Sequence, residues 1–166
     1  KDKKAAATLS KQLTEGALNK HYYAVLCGYP AVAEGELVDY LRKEGSVAVA
    51  VTGREKNFPD AKIAKLHYSI LEKINQPMPL ALADVCIETG RFHQIRVQFA
   101  HAGWPLLGDT VAGTAGSPAY RGVALCAYSL DFTHPGNGKK MSFRVKPQNP
   151  AFEKFTKIPS EGIFEG

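Results

Sequence analysis

In the stretch "SVAVAVTG", valine occupies every second position, Val47, Val49 and Val51, with alanine between. Alternation of this kind sends the two residue sets to opposite faces of an extended chain, and no helix gathers them into one stripe. The spacing therefore predicts a strand with one well-packed face. The same reading extends along most of the chain. "KHYYAVLCG" is a continuous aromatic and aliphatic run ended by Gly28 and Pro30, and "GELVDYL" alternates. "IAKLHYSILEKI" and "LALADVCIETG" are joined by the turn "NQPMP", which predicts an antiparallel hairpin. "VALCAYSLDFTH" leads through the tight turn "PGNGKK" into a last strand, "MSFRVKP".

Helical patterning is confined to a few places. Asp2 can cap a helix running to about Glu15, with Leu9 and Leu13 on one side and Gly16 as its stop. "NPAFEKFTKI" predicts a short closing helix. Phe92, Ile95, Phe99 and Ala102 recur at steps of three and four, which predicts a helix from Phe92 to Ala102 with one narrow apolar stripe. "REKNFPDAK" reads as a polar loop and "GDTVAGTAGSPAYRG" as a loop of small residues. The expected architecture is one α+β domain, a mostly antiparallel mixed sheet with few helices.

Composition sets further limits. At 166 residues, 45% hydrophobic and 22% charged, the chain is long enough to bury a core and too apolar for disorder. No apolar run reaches the length of a membrane span, and the basic stretch "KDKKAAATLSKQLTEG" has no apolar signal-peptide centre. Cys27, Cys86 and Cys126 are odd in number and widely spaced, so buried, reduced thiols of a cytoplasmic protein are expected. The net charge of +5 is loaded into Lys1, Lys3, Lys4, Lys11 and Lys20 at one end and Lys139, Lys140, Arg144 and Lys146 near the other. That excess suits a polyanionic partner and equally a solvated lysine-rich surface. No glycine-rich phosphate loop, H-E-x-x-H or G-x-S-x-G arrangement occurs. His93 and His101 lie eight residues apart, off a common helix face and without an evident third ligand, so no metal is expected.

Arg96 follows Ile95 and stands four residues past Phe92, which puts it at the margin of the apolar stripe. His93 can sit beside it, while Gln94 and Gln98 are expected on the far side. A guanidinium partly stripped of water needs a carboxylate or phosphate partner, and its fork suits either. An internal acid such as Glu88 or Asp109 would hold it and merely tie the helix down. Asp109 itself, after a Pro-Leu-Leu-Gly turn, reads as a turn former. Periodicity leaves the structural and the functional readings open.

"TGRFHQIRVQFAHAGWPLLGD" closely resembles the signature T-G-R-x-H-Q-I-R-V-H-x-x-x-x-G-x-P-x-x-G-D of the RluA-like class of RNA pseudouridine synthases. "KHYYAVLCG" is similar to that class's K-x-Y-x-A strand, and "GELVDYL" to the glycine-led strand that follows. "RGVALCAYSLDFTHPGNGKKMSF" resembles its R-x-x-L-H-A…HP…G…F segment, so the likeness runs from Lys1 to about Phe155. The resemblance implies the pseudouridine synthase catalytic-domain fold. It implies conversion of a specified uridine in ribosomal or transfer RNA to pseudouridine, by breaking the N-glycosidic bond and rejoining the base through carbon. No metal or organic cofactor is implied. The resemblance places at Tyr22 the tyrosine that packs against the flipped base and is implicated in removing the C5 proton. It places at Arg96 the basic residue that pairs with an essential aspartate. Lys20, Arg91, His93 and Gln94 are expected to contact the RNA. Taken without the resemblance, Tyr22 reads as a core aromatic of a strand.

The family's aspartate lies in an H-R-L-D-x-x-T-S-G segment, and no such segment occurs here. Residues 1–166 are therefore expected to form the C-terminal part of a catalytic domain, incomplete on its N-terminal side and inactive alone. An exposed sheet edge open to a second copy goes with that expectation. The alternative is a non-catalytic RNA-binding protein on the same scaffold. Leu66, Gln98, Ala112 and Cys126 depart from the family pattern, which leaves the choice of uridine open.

Overall fold

The alternating and continuous apolar runs pair into one seven-stranded sheet. The structure, a computed structural model, describes residues 2–110 and 118–159. The strands are β1 (Asn19–Cys27), β2 (Glu34–Glu44), β3 (Val47–Val51), β4 (Lys62–Ile74), β5 (Leu80–Ile87), β6 (Leu125–Thr133) and β7 (Lys140–Arg144). Their order is β3-β2-β4-β5-β1-β6-β7, each neighbouring pair antiparallel. β4 and β5 form the expected hairpin, with a cis Gln76–Pro77 bond in its turn. β1 lies between β5 and β6 and carries a wholly buried run from Tyr23 to Leu26.

Alternation along the strands divides the core in two. On one face Ala24, Leu26, Leu66, Ala83 and Val85 pack with Ile95, Phe99 and Leu106. On the other, Tyr23, Val25, Leu80 and Leu82 pack with Leu107, Phe152 and Phe155. The last two residues come from the closing segment, a 3-10 turn over Pro150–Lys154 whose Asn149 caps Ala151 N. In β3 it is Ala48 and Val51 that are buried, whereas Val47 and Val49 stay half-covered. Ala48 and Val51 lie on opposite faces, so burial in β3 does not follow the single well-packed face that the alternation predicts. Helix α2 (Gln94–His101) packs against β2 and β3.

Helix α1 (Lys3–Thr14) begins as predicted, with the Asp2 carboxylate accepting Lys4 N–H at 2.8 Å. No α1 residue is fully buried. A two-way amide clamp holds it: Gln12 Nε2 donates to Thr133 O at 2.7 Å, and Thr133 N donates to Gln12 Oε1 at 2.9 Å.

α2 departs from expectation at both ends and on both sides. It starts at Gln94, not Phe92, because His93 takes a left-handed conformation with φ 52° as its N-cap. Phe92 is thereby thrown out of the stripe and is 45% exposed. Gln94 and Gln98, expected to face outward, are buried. Neighbouring strands receive their amides: Gln94 Nε2 donates to the carbonyl of Lys65, and Gln98 Nε2 to the carbonyls of Leu37 and Ala64 and to the Asp39 carboxylate. The three cysteines are free and half-buried, less enclosed than expected. No helix among the described residues is long and apolar enough to cross a membrane. Ala112 and the middle of the small-residue loop fall in 111–117, outside the described residues.

Candidate functional site

Tyr22 stands on β1 opposite Val85 of β5 and Ala127 of β6. The register against β6 shifts between His21 and Tyr22, a bulge of the kind that re-aims a side chain. Lys20 Nζ lies 5.1 Å from the Tyr22 ring centroid, within range of a cation–π contact.

A cavity of about 530 Å3 opens beside this ring. Lys20, Tyr22, Arg91, His93, Gln94 and Arg96, the six residues singled out in the sequence, all border it. β1 supplies the first two, and the turn into α2 with the helix's first turn supplies the others, across some seventy residues of chain. Leu9 and Leu13 of α1, with Ile87, Leu125 and Leu130 of the sheet, make the apolar wall. The sequence carried no signal for these five, because distant elements bring them together.

Arg96 is not idle. Its Nε donates to Asp109 Oδ2 at 2.9 Å and its Nη2 to Asp109 Oδ1 at 2.6 Å, a bidentate pair. Asp109 is fully buried and the Arg96 side chain is 16% exposed. The partner sought for the marginal cation is therefore in this chain, and Asp109 is more than a turn former. Glu88, the other candidate, bonds His67 instead. Asp109 owes its place to Gly108, whose φ of +79° suits glycine. A Cβ there would lie 2.2 Å from Gly122 O. Arg96 Nη1 has no hydrogen-bond partner among the described residues.

The remaining groups divide between scaffold and surface. Gln94 accepts from Thr89 Oγ1 at 2.8 Å and from Arg91 N at 2.9 Å while donating to Lys65 O. Its carbonyl oxygen and one N–H are thus engaged internally, which shapes the loop at the cavity edge. Arg91 Nε donates to Ile63 O at 2.9 Å. The His93 pKa is lowered by desolvation and by the Arg96 charge, which favours the neutral ring. The Asp109 hydrogen bonds raise that of Arg96.

On the opposite face of the sheet, His21 Nδ1 meets Asp84 at 3.1 Å, and Tyr128 OH donates to the same carboxylate at 3.3 Å. Asp84 raises the His21 pKa to about 10. Exposed Glu36, His67 and Glu88 gather near one strand end, with ligand atoms within 4.8 Å of one another.

Residues 1–101 match the family described as RNA pseudouridylate synthase. The chain is 30% identical over 145 residues to the uncharacterized RNA pseudouridine synthase YlyB of Bacillus subtilis, covering 87% of this chain and 46% of that protein. It is 30% identical over 157 residues to ribosomal large subunit pseudouridine synthase D of Zymomonas mobilis, covering 87% of this chain and 47% of that protein. The chain thus spans about half the length of these curated relatives. The structure of human RNA pseudouridylate synthase domain containing 1 superposes with a TM-score of 0.66 at 20% identity, over 90% of this chain and 63% of the other. At that identity the likeness bears on the fold.

Proposed function

From the premise that the chain belongs to the RNA pseudouridylate synthase family, we propose that it takes part in converting a uridine of ribosomal or transfer RNA to pseudouridine. One observation carries this reading: Lys20, Tyr22, Arg91, His93 and Arg96 border a single cavity large enough for a nucleobase. A base that leaves the RNA stack loses its neighbours, and the Tyr22 ring beside an apolar wall compensates part of that loss. Lys20 and Arg91 attract the phosphates. Arg96, held at the cavity by Asp109, presents its remaining edge to a carboxylate or to the substrate.

The sequence contains no Arg-Leu-Asp. In this reading residues 1–166 supply the uridine-binding wall without the nucleophilic aspartate, and alone they do not turn over. The occupation of Arg96 by Asp109 favours a second reading, an RNA-binding protein without catalysis on the same scaffold. A further part of the proposal is self-association at a sheet end, since β3 and β7 each have one strand neighbour among the described residues.

Incubation with uridine-containing ribosomal RNA tests the RNA reading that both share, and with it the absence of the nucleophile from residues 1–166. Salt-dependent binding without pseudouridine is the expected outcome for residues 1–166, with log affinity falling linearly against log salt. Conversion by this chain alone overturns the assignment of the nucleophile elsewhere. Absence of salt-dependent binding overturns the RNA reading altogether.

A further inference from the structure

The turn that opens α2 does two things with one unusual residue. His93, at φ 52°, sends its own ring to the cavity wall and leaves Phe92 outside, with the two rings stacked 3.9 Å apart at 23°. A left-handed conformation is uncommon for a residue with a Cβ, and here it removes an aromatic side chain from the helix stripe where the core would have taken it. The outcome is an apolar ring 45% exposed beside two residues that border the cavity. A cation faces it. Lys43 Nζ lies 4.9 Å from the Phe92 ring centroid. Arg91, next in sequence, is steadied through Nε on Ile63 O and borders the same cavity.

We propose that Phe92, backed by His93 and flanked by Lys43 and Arg91, is a stacking ledge for the RNA nucleotide adjacent to the one that enters the cavity. The proposal rests on the RNA reading above and adds where the neighbouring nucleotide goes. A flat exposed ring with basic side chains beside it is the combination that holds unstacked single-stranded bases: π-faces accept any base, and the cations follow the backbone. His93 belongs to both the cavity wall and the stack, so the two nucleotide positions adjoin. A base arriving on the ring has only an exposed, flexible lysine to displace, and its ammonium can move to a phosphate. An acidic or purely apolar protein segment would use either the cations or the ring, but not the pair.

The test measures binding of a single-stranded oligouridylate that carries 2-aminopurine beside one uridine. Phe92→Leu keeps an apolar side chain but removes the flat ring, and is expected to lower affinity roughly tenfold and to relieve the quenching of 2-aminopurine. Phe92→Trp is expected to retain both. Lys43→Gln should shallow the salt dependence by about one phosphate contact. Wild-type affinity and quenching in Phe92→Leu overturn the ledge and leave the RNA reading standing. No binding by the wild-type chain overturns both.

Discussion

Arg96 combines a structural ion pair with a place at the cavity. Its position one step off the apolar stripe called for an anionic partner, and Asp109 supplies one, bidentate and fully buried. The same guanidinium borders the cavity with Tyr22. Truncation at Arg96 should be costly for a reason unrelated to RNA, because it leaves a carboxylate buried without its counter-charge. Arg96→Ala is expected to lose about 3–5 kcal/mol in urea unfolding. Arg96→Lys should fall between that variant and the wild type, since an ammonium keeps the charge and loses the fork. A loss below about 1 kcal/mol for Arg96→Ala would show that the pair is not the anchor described here. The need for a partner was legible from periodicity. Its identity was not, because the turn through Gly108 that returns Asp109 to α2 depends on a close approach to Gly122.

At the scale of elements, the strands were readable because apolar alternation is a local property of the chain. α1 was readable at its start from a capping aspartate and at its end from Gly16. Its role as a cavity wall was not, since Leu9 and Leu13 face the site only once Gln12 grips Thr133 at the end of β6. With no fully buried side chain, α1 leans on that clamp. Gln12→Ala is expected to cost about 1–2 kcal/mol locally, visible as faster hydrogen exchange across Lys3–Thr14 with β1 unchanged. Equal protection in wild type and variant would assign the docking of α1 to its leucines alone. α2 was misread for a related reason. Gln94 and Gln98 look like surface residues in any helical pattern, and strand carbonyls from β2 and β4 take them inward.

Across the whole molecule, one face of the sheet carries the cavity and the other an imidazole–carboxylate pair that ties β1 to β5. His21 is raised from 6.5 to about 10, chiefly by its hydrogen bond to Asp84. A histidine with a raised folded-state pKa stabilises most fully below its unfolded value, and that stability is lost as pH climbs through the folded value. Stability from this pair is therefore expected to be complete below pH 6.5 and to fade towards pH 10. Its size is about 1–2 kcal/mol once screening at this partly exposed position is allowed for. Unfolding of wild type and His21→Gln, compared between pH 6 and 10, should differ most at the acid end and converge at the alkaline end. A constant difference would remove the titration from the explanation.

The extended segments, the hairpin, the N-terminal cap and the α+β class followed from the sequence alone, because propensity, period and turn chemistry act over a few neighbouring residues. The long motif likewise tied Tyr22 and Arg96 to one family before any geometry was known. Only the tertiary structure decided which acid holds Arg96, why Gln94 and Gln98 turn inward, and how Phe92 comes to stand at the rim. The first two depend on hydrogen-bond partners brought from elsewhere in the chain, which no local pattern encodes, and the third on a left-handed turn at His93 that the helical period of the segment does not announce.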